Sequence, residues 1–396
     1  MTLINTILIL FVIIFTSVHS VTNIHLNVTD INDNSTPSIS VCYPTTTSLC
    51  NLRSAWEVCN QISNITTYCF IKLPFDMILL LSYGELTLNE TNNIEIVGNN
   101  STISLDTTSQ SSRAFYYNRD ESVDISIIPS ISFDSLIIVG FGDISLSGGS
   151  IYSKGLCNWK LSHSTIKDSI GGQGGGLYLS NNTNSMLIKN CSFFENNANI
   201  EGGGIYIADS VVNIMIVDSF IDNCISSGGL GGGISIGNNN IGIVAMVGLK
   251  ITNCVARQGA GIFINEHNNN ITLIDISISS CTASYGGGLY IYDNNNNMTL
   301  SGVDISGCSG SGGGVYINKN NNNLMWSNGT ISQCVSADGN GGGGVYIGEE
   351  NNNITLLGVT VSGCSATYPY GGSSGGGVYM WRNNDHMTWE DVNVHN

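Results

Sequence analysis

A string of three glycines followed by a short aliphatic–aromatic–aliphatic run recurs along most of this chain, and nothing else in the sequence limits the fold so severely. The copies begin at Gly174, Gly202, Gly231, Gly259 (with Ala260 in the middle), Gly286, Gly312, Gly342 and Gly375. A weaker copy is Gly148-Gly149-Ser150-Ile151-Tyr152. Steps between starts run from 26 residues (Gly286 to Gly312) to 33 (Gly342 to Gly375). Each unit continues with a strand such as Gly204-Ile205-Tyr206-Ile207, then an Asn-rich turn such as Asn294 to Asn297 or Asn320 to Asn323. A second strand follows, for example residues 271–278, and ends on an aliphatic residue, two variable residues and a cysteine. Alternation of period two, punctuated by glycine and asparagine, predicts β structure throughout.

So short a unit cannot bury its own apolar face. Stacking units gives every strand a parallel partner at about 4.8 Å. The expected fold is all-β, a parallel β-helix solenoid. One inward ladder is Leu177, Ile205, Ile234, Ile262, Leu289, Val315, Val345 and Val378. Its companion is Leu179, Ile207, Ile236, Ile264, Ile291, Ile317, Ile347 and Met380. Ten or so turns would make a rod of about 50 Å.

The first coil has its own signature. Leu52, Ala55, Trp56, Cys59 and Ile62 fall at helical spacing, which predicts a short capping helix over the open end of the rod. The stretch Cys50-Asn-Leu-Arg-Ser-Ala-Trp-Glu-Val-Cys59-Asn60, with Ile71-Lys-Leu-Pro74 and Ile94-Glu-Ile-Val-Gly98, resembles the opening of pectin-lyase-like right-handed β-helix repeat proteins, whose cap is of the CSLREAI type. Phe75-Asp76 stands where that family usually has glycine. The later units resemble the polymorphic outer-membrane protein repeat, and Phe194-Glu-Asn-Asn197 matches its Phe-x-x-Asn element. The resemblance covers about residues 48–396 and implies a right-handed parallel β-helix. It says little about activity, because such repeats occur in adhesins, surface proteins and polysaccharide-active enzymes alike.

Residues 1–20 read as a signal peptide: Ile7 to Phe15 is an unbroken apolar run, with Val18 and Ser20 at −3 and −1 of a cleavage after Ser20. No later stretch is long and apolar enough for a membrane helix. The expected layout is an exported linker at 21–47, the cap and first degenerate coils at 48–146, and repeat coils at 147–396 without a C-terminal cap. The last segment, Val392-Asn-Val394-His-Asn396, stops one residue before the expected cysteine. The expectation is that the natural chain continues, or that the gene reading is truncated. Export predicts N-glycans at the Asn-x-Ser/Thr sites Asn27, Asn34, Asn64, Asn89, Asn99, Asn100, Asn181, Asn190, Asn270, Asn297, Asn328 and Asn353.

Only 10% of residues are charged and the net charge is −17, so the basic patches a nucleic-acid binder needs are lacking. Cys42, Cys50, Cys59 and Cys69 cluster at the cap with spacings unsuited to zinc, which points to two disulfides. Three pairings exist, and Cys42–Cys50 with Cys59–Cys69 is the leading one. Cys157 and Cys191 lie outside the main register. Cys224, Cys254, Cys281, Cys308, Cys334 and Cys364 share one repeat position, which Ser169 and Asn197 fill in earlier units. They form either a zipper of disulfides or a ladder of buried thiols; the Cβ spacing of in-register strands favours thiols.

Catalysis on such a fold needs clustered charge on adjacent coils. Of Asp218, Asp222, Asp275 and Asp304, only Asp275 and Asp304 are expected to share a register, a weak acidic pair. Gly171 to Gly176 lacks the aspartate of a calcium-binding repeat, and no glycine run has the Lys-Ser/Thr of a phosphate loop. No cofactor, metal site or catalytic residue is expected. An aromatic column is the better candidate for binding: Tyr152, Tyr178, Tyr206, Phe263, Tyr290, Tyr316, Tyr346 and Tyr379, interrupted by Ser235. Outward rings either receive sugars or brace the sheet. Tyr368-Pro-Tyr370 is a second candidate. The expected function is a non-catalytic secreted or cell-surface β-helix, a spacer, adhesion or glycan-binding module with extracellular glycans or surface proteins as partners. The alternative is a polysaccharide-active lyase or hydrolase, to be recognised by a groove with three or more clustered charges.

Overall fold

A computed structural model describes residues 22–29, 50–61, 67–82, 84–88, 93–105, 112–119, 128–155, 157–181, 185–240, 242–336, 341–367 and 375–395. Residues 1–20, read as a signal peptide, Cys42, Ile62, the sequons at Asn34, Asn64 and Asn89, and Tyr368-Pro-Tyr370 lie outside these residues.

The chain is a right-handed parallel β-helix of about ten turns. One rung shows why. Ile205–Ile207 is followed, after an asparagine-bearing corner, by Ile214–Val217; a bend leads to Phe220–Asp222 and a further corner to Ile225–Ser226. Stacking the rungs gives, among the described residues, sheets of 23, 11, 4 and 4 strands. The large sheet takes two strands from most rungs, and the 11-stranded sheet takes the strand after the glycines. Pairing is parallel and in register, with Ile205 opposite Ile234 and Ile234 opposite Ile262. Both aliphatic ladders point inward and are buried as far as Val345 and Ile347. In the last described rung Val378 is only partly covered and Met380 is 40% exposed.

The glycines have separate reasons. From Gly148 to Gly312 the first glycine of each copy turns the corner at positive φ, +63° at Gly202 for example. The second sits where the coils pass closely: a Cβ on Gly203 would lie 2.4 Å from the Gly232 oxygen and 2.5 Å from the Ile225 oxygen, and the only side chain at this position in the triplets is the single methyl of Ala260.

Two polar columns hold the other corners. Asn240, Asn268, Asn295, Asn321 and Asn351 are buried one above another, with Asn384 continuing the column. From Asn268 to Asn384 each Oδ1 accepts the backbone N–H of the asparagine a rung before, at 2.9–3.1 Å, and Asn240 Oδ1 accepts that of Val211 at 2.7 Å. Most amide nitrogens reach the same oxygens, as from Asn321 to Asn351 at 3.3 Å. The Asn-rich turns were legible in the sequence; which asparagine turns inward was not. At the bend within the large sheet, Asp218, Gly248, Asp275, Gly302, Asn328, Gly358 and Asp391 alternate on successive rungs, all at positive φ. Each of Asp218, Asp275 and Asn328 folds its side chain into the space that a Cβ would claim on the glycine above.

At the N-terminal end, α1 (Leu52–Asn60) forms where expected. Asn51 caps it by accepting the Ser54 N–H at 2.7 Å. Its apolar face is buried, and Trp56 Nε1 donates to the Thr87 oxygen at 2.7 Å. A disulfide joins Cys59 to Cys69 on the strand Thr67–Lys72, and Cys50 is also disulfide-bonded. The stretch read as a linker contributes a rung of its own. Thr22–Asn27 pairs in parallel with Thr67–Lys72, burying Leu26 in the end of the core through period-two alternation with Ile24 and Val28. Among the described residues no helix is long and apolar enough to cross a membrane.

Candidate functional site

The aromatic column is real and longer than the glycine repeats suggest. Tyr116, which lies before the first glycine copy, pairs with Tyr152, and the register runs on through Tyr178, Tyr206, Ser235, Phe263, Tyr290, Tyr316 and Tyr346 to Tyr379. Alternation in Phe115-Tyr116-Tyr117 was the available signal for the extra member.

Not all of its rings are open to a ligand. Tyr206, Phe263 and Tyr290 are 6%, 1% and 4% exposed, which removes them as sugar contacts. Neighbouring rings pack over them: Tyr292 lies 6.2 Å from Phe263 and 5.9 Å from Tyr290. At the Ser235 gap, Glu201 reaches across from the preceding rung. Ser235 Oγ donates to Glu201 Oε2 at 3.5 Å, and the Tyr206 hydroxyl bonds the same carboxyl group. Burial raises the pKa of Glu201, partly offset by the Tyr206 bond and reinforced by nearby Asp209.

Two stretches of the column stay half-exposed. In the first, Tyr116, Tyr152 and Tyr178 stack at 5.0 and 4.8 Å, and the Arg113 guanidinium lies 5.1 Å from the first two rings while paired with Glu85 at 3.0 Å. Burial among these groups pushes Tyr152 up to about 12. In the second, Tyr316 and Tyr346 stack at 4.2 Å, Tyr346 and Tyr379 at 5.6 Å, and Trp381, 48% exposed, lies 6.0 Å from Tyr379. Ring faces here are spent on one another, so the surface offers phenol edges and one open indole. Ion pairs Lys319–Asp293 (3.7 Å) and Arg382–Glu349 (2.8 Å) border it.

A groove of about 710 Å³ runs over the large sheet near the N-terminal end. Ile78, Ile137, Val139 and Phe194 give it an apolar floor, Thr102, Ser104 and Thr165 supply hydroxyls, and Lys167, Asp168 and Glu195 its charges. Lys167 pairs with Phe194 across adjacent rungs, which sets Asp168 beside Glu195 at the following bend, both at positive φ. Lys167 and Asp168 form a half-exposed ion pair at 3.8 Å. Sequence reasoning missed this groove, because its walls come from segments up to 117 residues apart, from Ile78 to Glu195.

The acidic pair does not form. Asp304 stands opposite Ser277, on a strand, whereas Asp275 occupies the bend and aligns with Gly302. Asp304 Oδ1 instead caps Thr330 on the next rung, accepting its N–H at 3.0 Å. Among the described residues no group of three or more His, Cys, Asp or Glu side chains is placed to hold a metal ion.

The six column cysteines are buried free thiols, as are Cys157 and Cys191. Asn196, rather than Asn197, precedes Cys224 in the column: Asn197 pairs with Ile225, and Asn196 Nδ2 points at Cys224 Sγ at 3.9 Å. The repeat element is therefore Phe193-x-x-Asn196. Burial pushes Cys224 up to about 12, and the neighbouring thiols, with burial, do the same to Cys308 and Cys334.

Residues 217–394 match the family model described as right handed beta helix region, the class to which the stacked parallel rungs also assign the fold. No curated protein matches the chain. Among solved structures, a mannuronic acid specific polysaccharide family 6 lyase enzyme from human gut microbiota is similar, with 10% identity and a TM-score of 0.46 over 86% of this chain and 80% of that one. Tailspike protein 3 of bacteriophage CBA120 has 12% identity and a TM-score of 0.43, over 82% of this chain and 54% of the tailspike.

Proposed function

We propose that the protein is a non-catalytic extracellular β-helix rod that engages glycans through the exposed end of its tyrosine column. The supporting observation is the stack Tyr316–Tyr346–Tyr379 with the open indole of Trp381 beside it. Sugars present C–H faces and hydroxyls together, which suit an indole plane next to phenol edges and amide or charged groups such as Asn318, Lys319 and Arg382. The rigid stack loses little side-chain freedom on binding, a favourable property for a weak, repeated contact. Binding of the full chain to an array of plant and microbial oligosaccharides tests the reading. Glycan binding lost in Trp381→Ala but kept in Tyr178→Ala supports it; no binding to any glycan, or binding indifferent to Trp381, defeats it.

One observation favours a second reading, a polysaccharide-active enzyme. Lys167, Asp168 and Glu195 meet in one groove on adjacent rungs, the charge cluster such chemistry requires. Incubation with plant and microbial polysaccharides, with and without calcium, would then shorten the chains, and Glu195→Gln would stop it.

A further inference from the structure

Nine of the Asn-x-Ser/Thr asparagines fall among the described residues: Asn27, Asn99, Asn100, Asn181, Asn190, Asn270, Asn297, Asn328 and Asn353. Their placement is one-sided. Asn27, Asn99, Asn100, Asn297 and Asn353 lie in strands of the large sheet, Asn190 and Asn328 at its bend, and Asn270 immediately before its strand Ile271–Ile274. Asn181 follows Leu177–Ser180 at the corner leading into that sheet. None lies within the 11-stranded sheet, in the four-stranded sheets or at the glycine corners.

The reason is local. Eight of the nine, all but Asn27, adopt positive φ, which asparagine tolerates better than other side chains. A hydroxyl residue two positions on begins the next outward-facing strand position, as Thr272, Thr299 and Thr355 do after Asn270, Asn297 and Asn353. Turn chemistry thus creates the acceptor sequence and, at the same corner, exposes the side chain: Asn190, Asn270, Asn297, Asn328 and Asn353 are all exposed.

We infer that N-linked glycans coat the large-sheet side of the rod at these five asparagines and leave the tyrosine side bare. In the transfer, Asn Nδ2 attacks C1 of a lipid diphosphate-linked oligosaccharide. An N–C1 bond forms, the C1–O bond to the diphosphate breaks, and one amide proton is released with the lipid diphosphate. Asn190, beside the groove strand Ser192–Phe194, would then carry a glycan at the groove rim, whereas Tyr316, Tyr346 and Tyr379 have no acceptor on their sheet. The inference rests on export of the chain and is independent of which ligand the tyrosines take.

The test is secretion of the full chain from a eukaryotic host, then enzymatic deglycosylation in ¹⁸O water and peptide mapping. Each occupied asparagine becomes a labelled aspartate, heavier by about 3 Da. Labels at Asn190, Asn270, Asn297, Asn328 and Asn353 are expected. Hydroxyl-radical footprinting before and after deglycosylation should show Phe194 becoming more reactive while Tyr346 and Trp381 do not change. A secreted chain without labels, or glycan protection of Tyr346 and Trp381, overturns the inference. Glycan-array binding by unglycosylated protein reads the proposed function separately, so either can fail alone.

Discussion

Asn321 and Asn351, a rung apart and both buried, share one oxygen: Oδ1 of Asn351 accepts the Asn321 backbone N–H at 2.9 Å and its Nδ2 at 3.3 Å. Asn321 Oδ1 in turn serves Asn295 in the same way. Truncating one member strands donors on the rung before it, where water does not reach. Asn321→Ala should cost about 2–3 kcal/mol, measured as a lower denaturant midpoint. Exposed Asn323→Gly, which keeps the positive φ at that site free of strain, should cost much less. Equal losses would show that the ladder contributes nothing beyond its neighbours.

Thiol chemistry gives a pH prediction. Cys157, Cys191, Cys224, Cys308 and Cys334 are held up to about 12, above the usual 9.0. A folded-state value above the unfolded one stabilises the protein below the unfolded value and is lost as pH rises toward the folded one. Urea midpoints should therefore fall between pH 9 and about 12. Native protein should resist a disulfide-exchange reagent at neutral pH, and denatured protein should titrate all eight buried thiols. Rapid native labelling would contradict this burial.

Glu201 makes the same case for a carboxylate, at lower pH. Burial raises its pKa, so its contribution is greatest at low pH and falls as the group ionises. Glu201→Gln keeps acceptors for Tyr206 and Ser235 without the charge. It should raise the melting temperature at pH 7, with the gain shrinking toward pH 4. A loss of stability at pH 7 would mean that the carboxylate is itself required.

Glycines of the two kinds should respond differently. Gly203→Ala brings a Cβ against two backbone oxygens, and since Ala260 fills the equivalent position two coils on, the coils can part slightly; a loss of about 1–3 kcal/mol is expected. Gly302→Asn meets only the movable Asp275 carboxylate and adopts a φ that Asn328 already holds on the next rung, so it should cost about 1 kcal/mol or less. Thermal denaturation of the two variants decides.

Much of the fold could be read before any coordinates, because the glycine triplets and the ladders from Leu177 to Ile347 repeat in step with the coil. What escaped depended on single-residue register. Asn197 and Asn196 look interchangeable in sequence, but only Asn196 falls on the cysteine column. Asp275 and Asp304 sit on similar strings, but one ends a strand at the bend while the other lies within the next. Burial of Phe263 and Tyr290 depends on Tyr292, a ring outside the repeat pattern. The groove needed side chains brought together from five rungs.

The alternation of Asp218, Gly248, Asp275, Gly302, Asn328, Gly358 and Asp391 has a bearing on how such a chain lengthens or shortens. From Asp218 onward that edge repeats every second coil, whereas Ser135, His163, Asn190 and Asp218 set side chains on four successive coils before it. Adding or removing a pair of coils beyond Asp218 keeps each side chain facing a glycine. A single-coil change there would bring two side chains together, an arrangement the earlier coils accommodate where Asn190 meets His163.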